Sequence, residues 1–470
     1  MIVSDIVVLR PAAQNVPPGV ALPAGPPGLP GANGLPGAQG EPGAPGKDGI
    51  TPDISGKLDK TGDASGTSLQ QPGATRALTP IQILTPYRNL AEFRFASDAD
   101  DTASFNRAIG DLQAGARVVF DSVKTISGPI NMSRDNYTIE AVNPRAGLIQ
   151  SSALNQPIFN ITANRCRLRD IATIYTGGSP TSGATAFQIA GTYSDLSHCT
   201  AFNGYRLFAW RSGGHLASNL LGYDWAWSAL DFQNANDVYV SNFLFSTSTQ
   251  TNGAGGAVRL YNQCESVRLA GGEVIGGKFG LLTGADTYAR GSCPAFGEIT
   301  DVKFDNQGQG SILDKSIDMV FQAPWFSGGR SGSGYSGLTI RNSRAPRFHA
   351  PRFFACGYSG LVVEATTLDL ELRGALAHAN SITGGAGNGR GIEVMANATD
   401  FKIIGGVGGN DLFRDVPGYG TGQQGFNLVL NSGCDRFSVI GFGGPAGTAG
   451  HIFDGSASGA NKTLLANYSR

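Results

Sequence analysis

Gly337-Leu-Thr-Ile-Arg-Asn342 is answered by Gly360-Leu-Val-Val-Glu364, by Gly391-Ile-Glu-Val-Met-Ala-Asn397 and by Gly425-Phe-Asn-Leu-Val-Leu-Asn431. The intervals are 23, 31 and 34 residues. Upstream, Ala229-Leu-Asp-Phe-Gln-Asn234, Gly256-Ala-Val-Arg-Leu-Tyr-Asn262 and Gly280-Leu-Leu282 follow at 27 and 24. Most units add a second strand: Val238-Tyr-Val240, Val267-Arg-Leu269, Leu368-Asp-Leu370, Phe401-Lys-Ile403 and Phe437-Ser-Val439. One such unit cannot bury its apolar face alone, so a period in the twenties, expanded by loops, means stacked coils. A propeller blade needs four strands and about 40 residues, longer than any interval here. The expected fold is all-β, a parallel β-helix (solenoid) of about a dozen coils between residues 118 and 465. Asn234, Asn262, Asn342, Asn397 and Asn431 close the first strand of their units. Stacking is expected to bring them into an amide ladder.

Before the repeats lies Ser97-Asp-Ala-Asp-Asp-Thr-Ala-Ser-Phe-Asn-Arg-Ala-Ile109. Asp100 or Asp101 is suited to cap a helix N-terminus. Phe105, Ile109 and Leu112 then share one helix face. Such a helix, within residues 97–116, is expected to plug the open end of the solenoid. These aspartates are read as capping groups.

From Gly25 to Gly49 every third residue is glycine, and prolines fill many positions between. Only glycine fits on the axis of a collagen triple helix, so residues 25–51 are read as a collagen-like stalk of roughly 80 Å. A triple helix needs three chains, so a homotrimer is expected. The domains follow: 1–24 for attachment, 25–51 for the stalk, 52–96 for a neck, 97–116 for the capping helix and 117–470 for the head.

Charged residues are 15% of the chain and the net charge is -1. Neither a basic face for nucleic acid nor an apolar run long enough for membrane insertion is present. The first ten residues make a poor signal peptide, with an acid inside the apolar run. Cysteines 166, 199, 264, 293, 356 and 434 are scattered, with no metal-ligand spacing. They are expected to be buried free thiols. No cofactor and no metal is expected.

Gly56-Lys-Leu-Asp-Lys-Thr-Gly-Asp63 and Gly73-Ala-Thr-Arg-Ala-Leu-Thr79 resemble phrases of bacteriophage tail fibres and tailspikes. Residues 97–109, followed by Ala116-Arg-Val-Val-Phe120, resemble the opening of pectate-lyase-like β-helix proteins. The glycines that usually precede the Asp-Asp pair in that family are missing here. The resemblance implies a right-handed parallel β-helix head on a homotrimeric phage tailspike or tail fibre. Such a particle part recognises bacterial surface polysaccharide during host adsorption, and depolymerase activity accompanies some heads. It docks on a phage tail or baseplate protein through its N-terminus. It is carried on the virion, folded in the host cytoplasm and works at the bacterial surface. Two other readings stand beside it: a receptor-binding fibre without turnover, and a bacterial collagen-like surface adhesin. The poor signal peptide disfavours the adhesin.

Glycan cleavage needs carboxyls placed across a sugar bond, or a base with a cation for lyase chemistry. Equivalent positions on adjacent coils lie about 4.8 Å apart. Asp237 and Glu265 precede the second strands of neighbouring units and are the expected catalytic pair. Asp369, Asp400 and Asp435 form a second row at the same point of three later units. Tyr223, Trp225 and Trp227 alternate with smaller residues and would share one face of a strand, as sugar-stacking surfaces near Asp231. These four residues are the expected substrate contacts.

Overall fold

Every strand of the head pairs in parallel with its neighbours in space. The computed structural model describes residues 87–142, 147–329, 334–381, 389–409, 424–445, 447–457 and 460–467. The stalk, the attachment segment and the tail-fibre-like phrases lie outside the described residues. The chain divides into two compact units, residues 1–58 and 59–470, and all described residues belong to the second. That unit is a parallel β-solenoid of about 13 turns, as the repeats predict. Each coil places one strand in a 13-stranded sheet running from Ile130–Met132 to Gly450–Asp454, and one or two strands in a 21-stranded sheet. The solenoid starts earlier than expected. Tyr87–Asn89, in the stretch assigned to the neck, already pairs with Arg117–Phe120.

The strands form because their residues alternate between core and surface. Val258–Tyr261 and Leu338–Arg341 both bury their first and third side chains. Parallel register then stacks like on like. Phe159, Phe187 and Phe208 lie ring on ring at 5.4 and 5.0 Å, and Trp210 stacks on Phe232 at 4.9 Å. Further along, Phe401 covers Phe437 at 4.8 Å. These spacings are those of adjacent strands, so each ring fills the gap left by the one below. All six cysteines are buried and free, as expected.

The helix Thr102–Asp111 sits where the sequence places it, with Phe105, Ile109 and Leu112 buried. Asp101 is the N-cap residue and makes no side-chain cap bond; Asp100, one place before it, accepts the Thr102 amide on Oδ1 at 2.8 Å. Asp101 instead ties the helix to the first coil, accepting the Thr125 amide at 3.0 Å.

A recurrent left-handed residue turns each coil into its second strand. Asp237, Ser266, Phe296, Asp318, Ala345, Asp369 and Asp400 hold φ between 50° and 58° there. The amide at this corner reaches the next coil: Asp237 N donates to Glu265 O at 2.9 Å, Ser266 N to Ala295 O at 3.1 Å. Asp tolerates the left-handed region better than most residues, because its short polar side chain bonds locally. The recurrence of aspartate at this corner therefore has a conformational cause.

The expected asparagine ladder holds only in part: Asn234 and Asn262 follow the paired Gln233 and Tyr261, and Asn431 Nδ2 donates to Val394 O on the neighbouring coil at 2.9 Å. Asn397 is exposed, and its amide meets the carbonyl of Ser432 at 2.9 Å. Gly433, not Asn431, lies beside it: a Cβ on Gly433 would fall 2.2 Å from Asn397 Oδ1. Asn262 and Asn342 bond carboxylates on neighbouring coils, Asp286 at 3.1 Å and Asp314 at 2.9 Å.

His215 is buried between coils. Its Nδ1 accepts the Ser194 amide at 3.1 Å, and Nε2 meets Ser212 Oγ at 3.1 Å. The Ser212 hydroxyl already donates to Gly191 O, so Nε2 carries the proton and the ring is neutral. Burial pushes its pKa down to about 4. Between pH 6.5 and 4 the unfolded chain therefore binds a proton that the folded chain refuses. Stability falls as pH drops through that window, by roughly 2–3 kcal/mol, and does not change further from this group below it. His378, also buried and also shifted down, adds to the same slope. Denaturant unfolding of wild type and His215→Gln across this range is expected to give a shallower slope for the variant. Equal slopes would remove His215 as the source.

Candidate functional site

The expected aromatic strand is broken. Leu216–Tyr223 ends one strand, Asp224 turns with φ 55°, and Ser228–Gln233 begins the next. The three aromatics therefore point to different places. Tyr223 is half-buried and stacks on Phe202 at 5.2 Å. Trp225 has no exposed surface, so no sugar can lie on it. Gly253 packs so closely that a Cβ there would stand 2.6 Å from Trp225 Nε1. Trp227 is half-buried and lies parallel to Tyr205, with ring centres 5.8 Å apart.

Asp231, read above as a sugar contact, is wholly buried beneath three arginines. Its Oδ2 receives Arg211 Nη2 at 2.6 Å and lies 2.8 Å from Arg206 Nε, while Oδ1 receives Arg259 Nη1 at 2.9 Å. Register explains the meeting. On the outer face of the 13-stranded sheet, Asp231 has the small Ala209 on one side and Arg259 on the other. Burial alone would raise the Asp231 carboxyl, but the three guanidiniums outweigh it and hold it below the usual range. The arginines cover the acid and keep part of their own surface, 20% for Arg206, 24% for Arg211 and 12% for Arg259. Aromatic rings frame them. Arg206 lies 5.1 Å from the Tyr205 ring centre, and Arg259 lies 4.2 Å from Tyr261 and 5.9 Å from Trp227. Such contacts suit guanidinium, whose flat faces stack on aromatic rings. None of the three arginines is singled out by the repeat phrases as aligned from sequence.

Asp237 and Glu265 do not share a position. Tyr239 faces Arg268 and Val240 faces Leu269, so Glu265 falls opposite Asn236 and Asp237 opposite Ser266. Asn236 Oδ1 accepts the Glu265 amide at 2.9 Å, in line with this register. Successive strand residues point to opposite faces, so a one-residue offset separates two side chains that equivalence would stack.

The later row is partly in step. Leu370 faces Phe401, which puts Asp369 beside Asp400. Thr399 faces Asp435, so Arg436 takes the next place beside Asp400 and Asp435 stands one residue out. Asp369, Asp400 and Arg436 line a groove of about 920 Å³ together with Glu371, Lys402 and Lys462. Arg436 forks onto Asp400 at 2.7 and 2.6 Å, and Arg344 reaches Asp369 at 3.3 Å. The Arg436 side chain holds Asp400 below the usual carboxylate range, and the Asn461 amide does the same for Asp435. A proton donor at neutral pH needs the opposite shift. Asp400 and Asp435 are suited to accept hydrogen bonds. Among the described residues, no group of three or more His, Cys, Asp or Glu side chains is placed to hold a metal. No described helix is long and apolar enough to cross a membrane.

The architecture and the arginine–aromatic surface define a parallel β-solenoid with a polar, ring-framed patch on one sheet. Solved structures share that architecture. Tailspike protein 3 of bacteriophage CBA120 is similar over 83% of this chain and 63% of its own, at 14% identity and a TM-score of 0.50. This chain thus spans under two thirds of that tailspike's length. The A-module of a mannuronan C-5 epimerase of Azotobacter vinelandii is similar over 82% of this chain and 99% of its own, at 11% identity and a TM-score of 0.49. The catalytic unit of an α-1,3-glucanase from Streptomyces thermodiastaticus is similar over 81% and 68%, at 12% identity and a TM-score of 0.45. No protein-family model matches the chain, and no curated protein matches its sequence. The likeness is therefore one of fold, and it agrees with the solenoid that the tailspike resemblance implies.

Proposed function

We propose that this chain is a homotrimeric phage tailspike or tail fibre whose solenoid head binds bacterial surface polysaccharide. The observation that carries the reading is the parallel Tyr205–Trp227 pair beside Arg206, Arg211 and Arg259. The half-buried indole rests on Tyr205 and is packed by Gly255, where a Cβ would stand 2.3 Å from Trp227 Nε1, so its exposed rim is the apolar surface a sugar can meet, and guanidiniums beside it offer fixed donors. The glycine register of residues 25–49 supports three chains on one stalk. Residues 1–24 are then the segment that docks on a tail or baseplate protein.

The test uses purified full-length chain and immobilised bacterial surface polysaccharides. Light scattering is expected to give three times the chain mass, and a monomer would remove the stalk from the reading. At least one polysaccharide is expected to retain the protein. Trp227→Ala is expected to weaken retention about five- to tenfold, the scale of one lost ring contact. Retention unchanged in that variant would move the site elsewhere. Reducing ends or unsaturated sugars in the flow-through would add turnover. Asp237→Asn, Glu265→Gln, Asp369→Asn and Asp400→Asn then find the reacting acid, as the variant that loses product and keeps binding.

A further inference from the structure

The arginine patch carries more cation than its buried acid answers. Three guanidiniums surround the single carboxylate of Asp231. Arg259 gives Nη1 to that carboxylate, and its Nε and Nη2 make no protein hydrogen bond among the described residues. Arg206 gives Nη1 to Ser182 O at 2.8 Å and sets Nε against Asp231, leaving Nη2 without a described partner. A second acid, Asp286, lies across Tyr261 and accepts the Tyr261 hydroxyl at 2.5 Å and the Asn262 side-chain amide at 3.1 Å; with it counted, the cations still outnumber the acids by three to two.

We infer that this patch reads an oxyanion carried on the bound glycan, a carboxylate or a phosphate, with Arg259 as the specificity-determining residue. The inference rests on the proposed glycan binding. A sugar ring lying on Trp227 carries its substituents at its rim, and Arg259 lies 5.9 Å from the centre of that same indole. The Asp231 bond and the Tyr261 face fix the guanidinium in orientation before any ligand arrives. Little freedom is then lost on binding, and two donors on one edge suit two oxygens of one anion. Each guanidinium gains a charge-assisted contact with Asp231, but three cations on one carboxylate leave net positive charge at the patch. An oxyanion at the exposed edge completes the pairing.

The experiment immobilises hexuronate polymers, the same polymers with their carboxyls reduced, phosphate-bearing polymers and neutral polymers. The full-length chain is passed over each. Retention on an acidic polymer is expected, and if hexuronate is the source, carboxyl reduction abolishes most of it. Arg259→Gln is expected to weaken that retention about tenfold, with Arg259→Lys between it and wild type, since lysine keeps the charge and loses the fork. Retention by neutral polymers alone, or acidic retention unchanged in Arg259→Gln, overturns the inference and leaves the proposed function standing. Should Arg259→Gln fail to fold, added salt must release the wild-type chain from acidic polymer and not from neutral polymer. Salt-insensitive retention overturns the inference equally. Failure to retain any polymer fails the proposed function itself.

Discussion

Asp231→Ala is expected to lower the stability of the head by about 3–5 kcal/mol, the scale of a buried ion pair broken from one side. The carboxylate has no exposed surface and three cationic partners within 2.9 Å. Its removal leaves three guanidiniums crowded on one face of adjacent coils, with nothing between them but a small cavity. They repel, and each has given up part of its hydration to lie there. Asp231→Asn is expected to fall between wild type and alanine, because an amide fills the space without the charge. The comparison is Asp237→Ala, whose side chain is exposed at a coil corner. That substitution is expected to stay within about 1 kcal/mol. Denaturant unfolding of the three variants decides the matter. A loss below about 1 kcal/mol for Asp231→Ala would mean that the arginines reach water freely and that the acid does not organise them.

The same residue shows how far the sequence could be read. Strand phrases were legible because apolar alternation survives in each coil, and Leu338, Leu361 and Ile392 do stack at the intervals the glycine phrases suggest. The helix face of Phe105, Ile109 and Leu112 was legible for the same reason. Register was not. Aligning Ala229 with Gly256 sets Asp231 beside Val258, whereas the coils set Leu230 beside Val258 and Asp231 beside Arg259. That one-residue difference exchanges a core position for a surface one and hides the arginine patch. In the second strand the true offset is 29 residues, which sets Asp237 beside Ser266 and leaves Glu265 one place away. Later, Ile392 faces Leu428, two residues from the alignment of Gly391 with Gly425, and Asn397 and Asn431 part, whereas Asn234 and Asn262 stay in step. The glycines that open each phrase are poor anchors because turn lengths vary between coils. The left-handed corner is the better anchor in space. Its occupants include Asp237, Asp318, Asp369 and Asp400 but also Ser266, Phe296 and Ala345, so aspartate is favoured there without marking every coil.

Phe208→Ala is expected to destabilise the head by about 3–5 kcal/mol, as for other buried phenylalanines cut to alanine. The ring is fully buried. It stacks on Phe187 at 5.0 Å and 2°, lies 6.3 Å from Trp210 and leans against Phe245 at 5.9 Å. A solenoid limits how such a gap can heal. Strands above and below are tied by backbone hydrogen bonds at fixed spacing, so the coils cannot close over the missing ring. The cavity therefore persists, which places the loss toward the upper part of the large-to-small range. Phe208→Leu refills part of the space and is expected to recover part of the loss. Asn397→Leu serves as the opposite case. If asparagines formed a buried ladder, this change would strand an amide partner and be severe; with Asn397 exposed, it is expected to cost only about 1 kcal/mol, from placing leucine at a left-handed φ of 66°. Measured side by side, the two substitutions test which side chains bind coil to coil. A mild Phe208→Ala together with a severe Asn397→Leu would put amides, and not aromatic stacks, in that role.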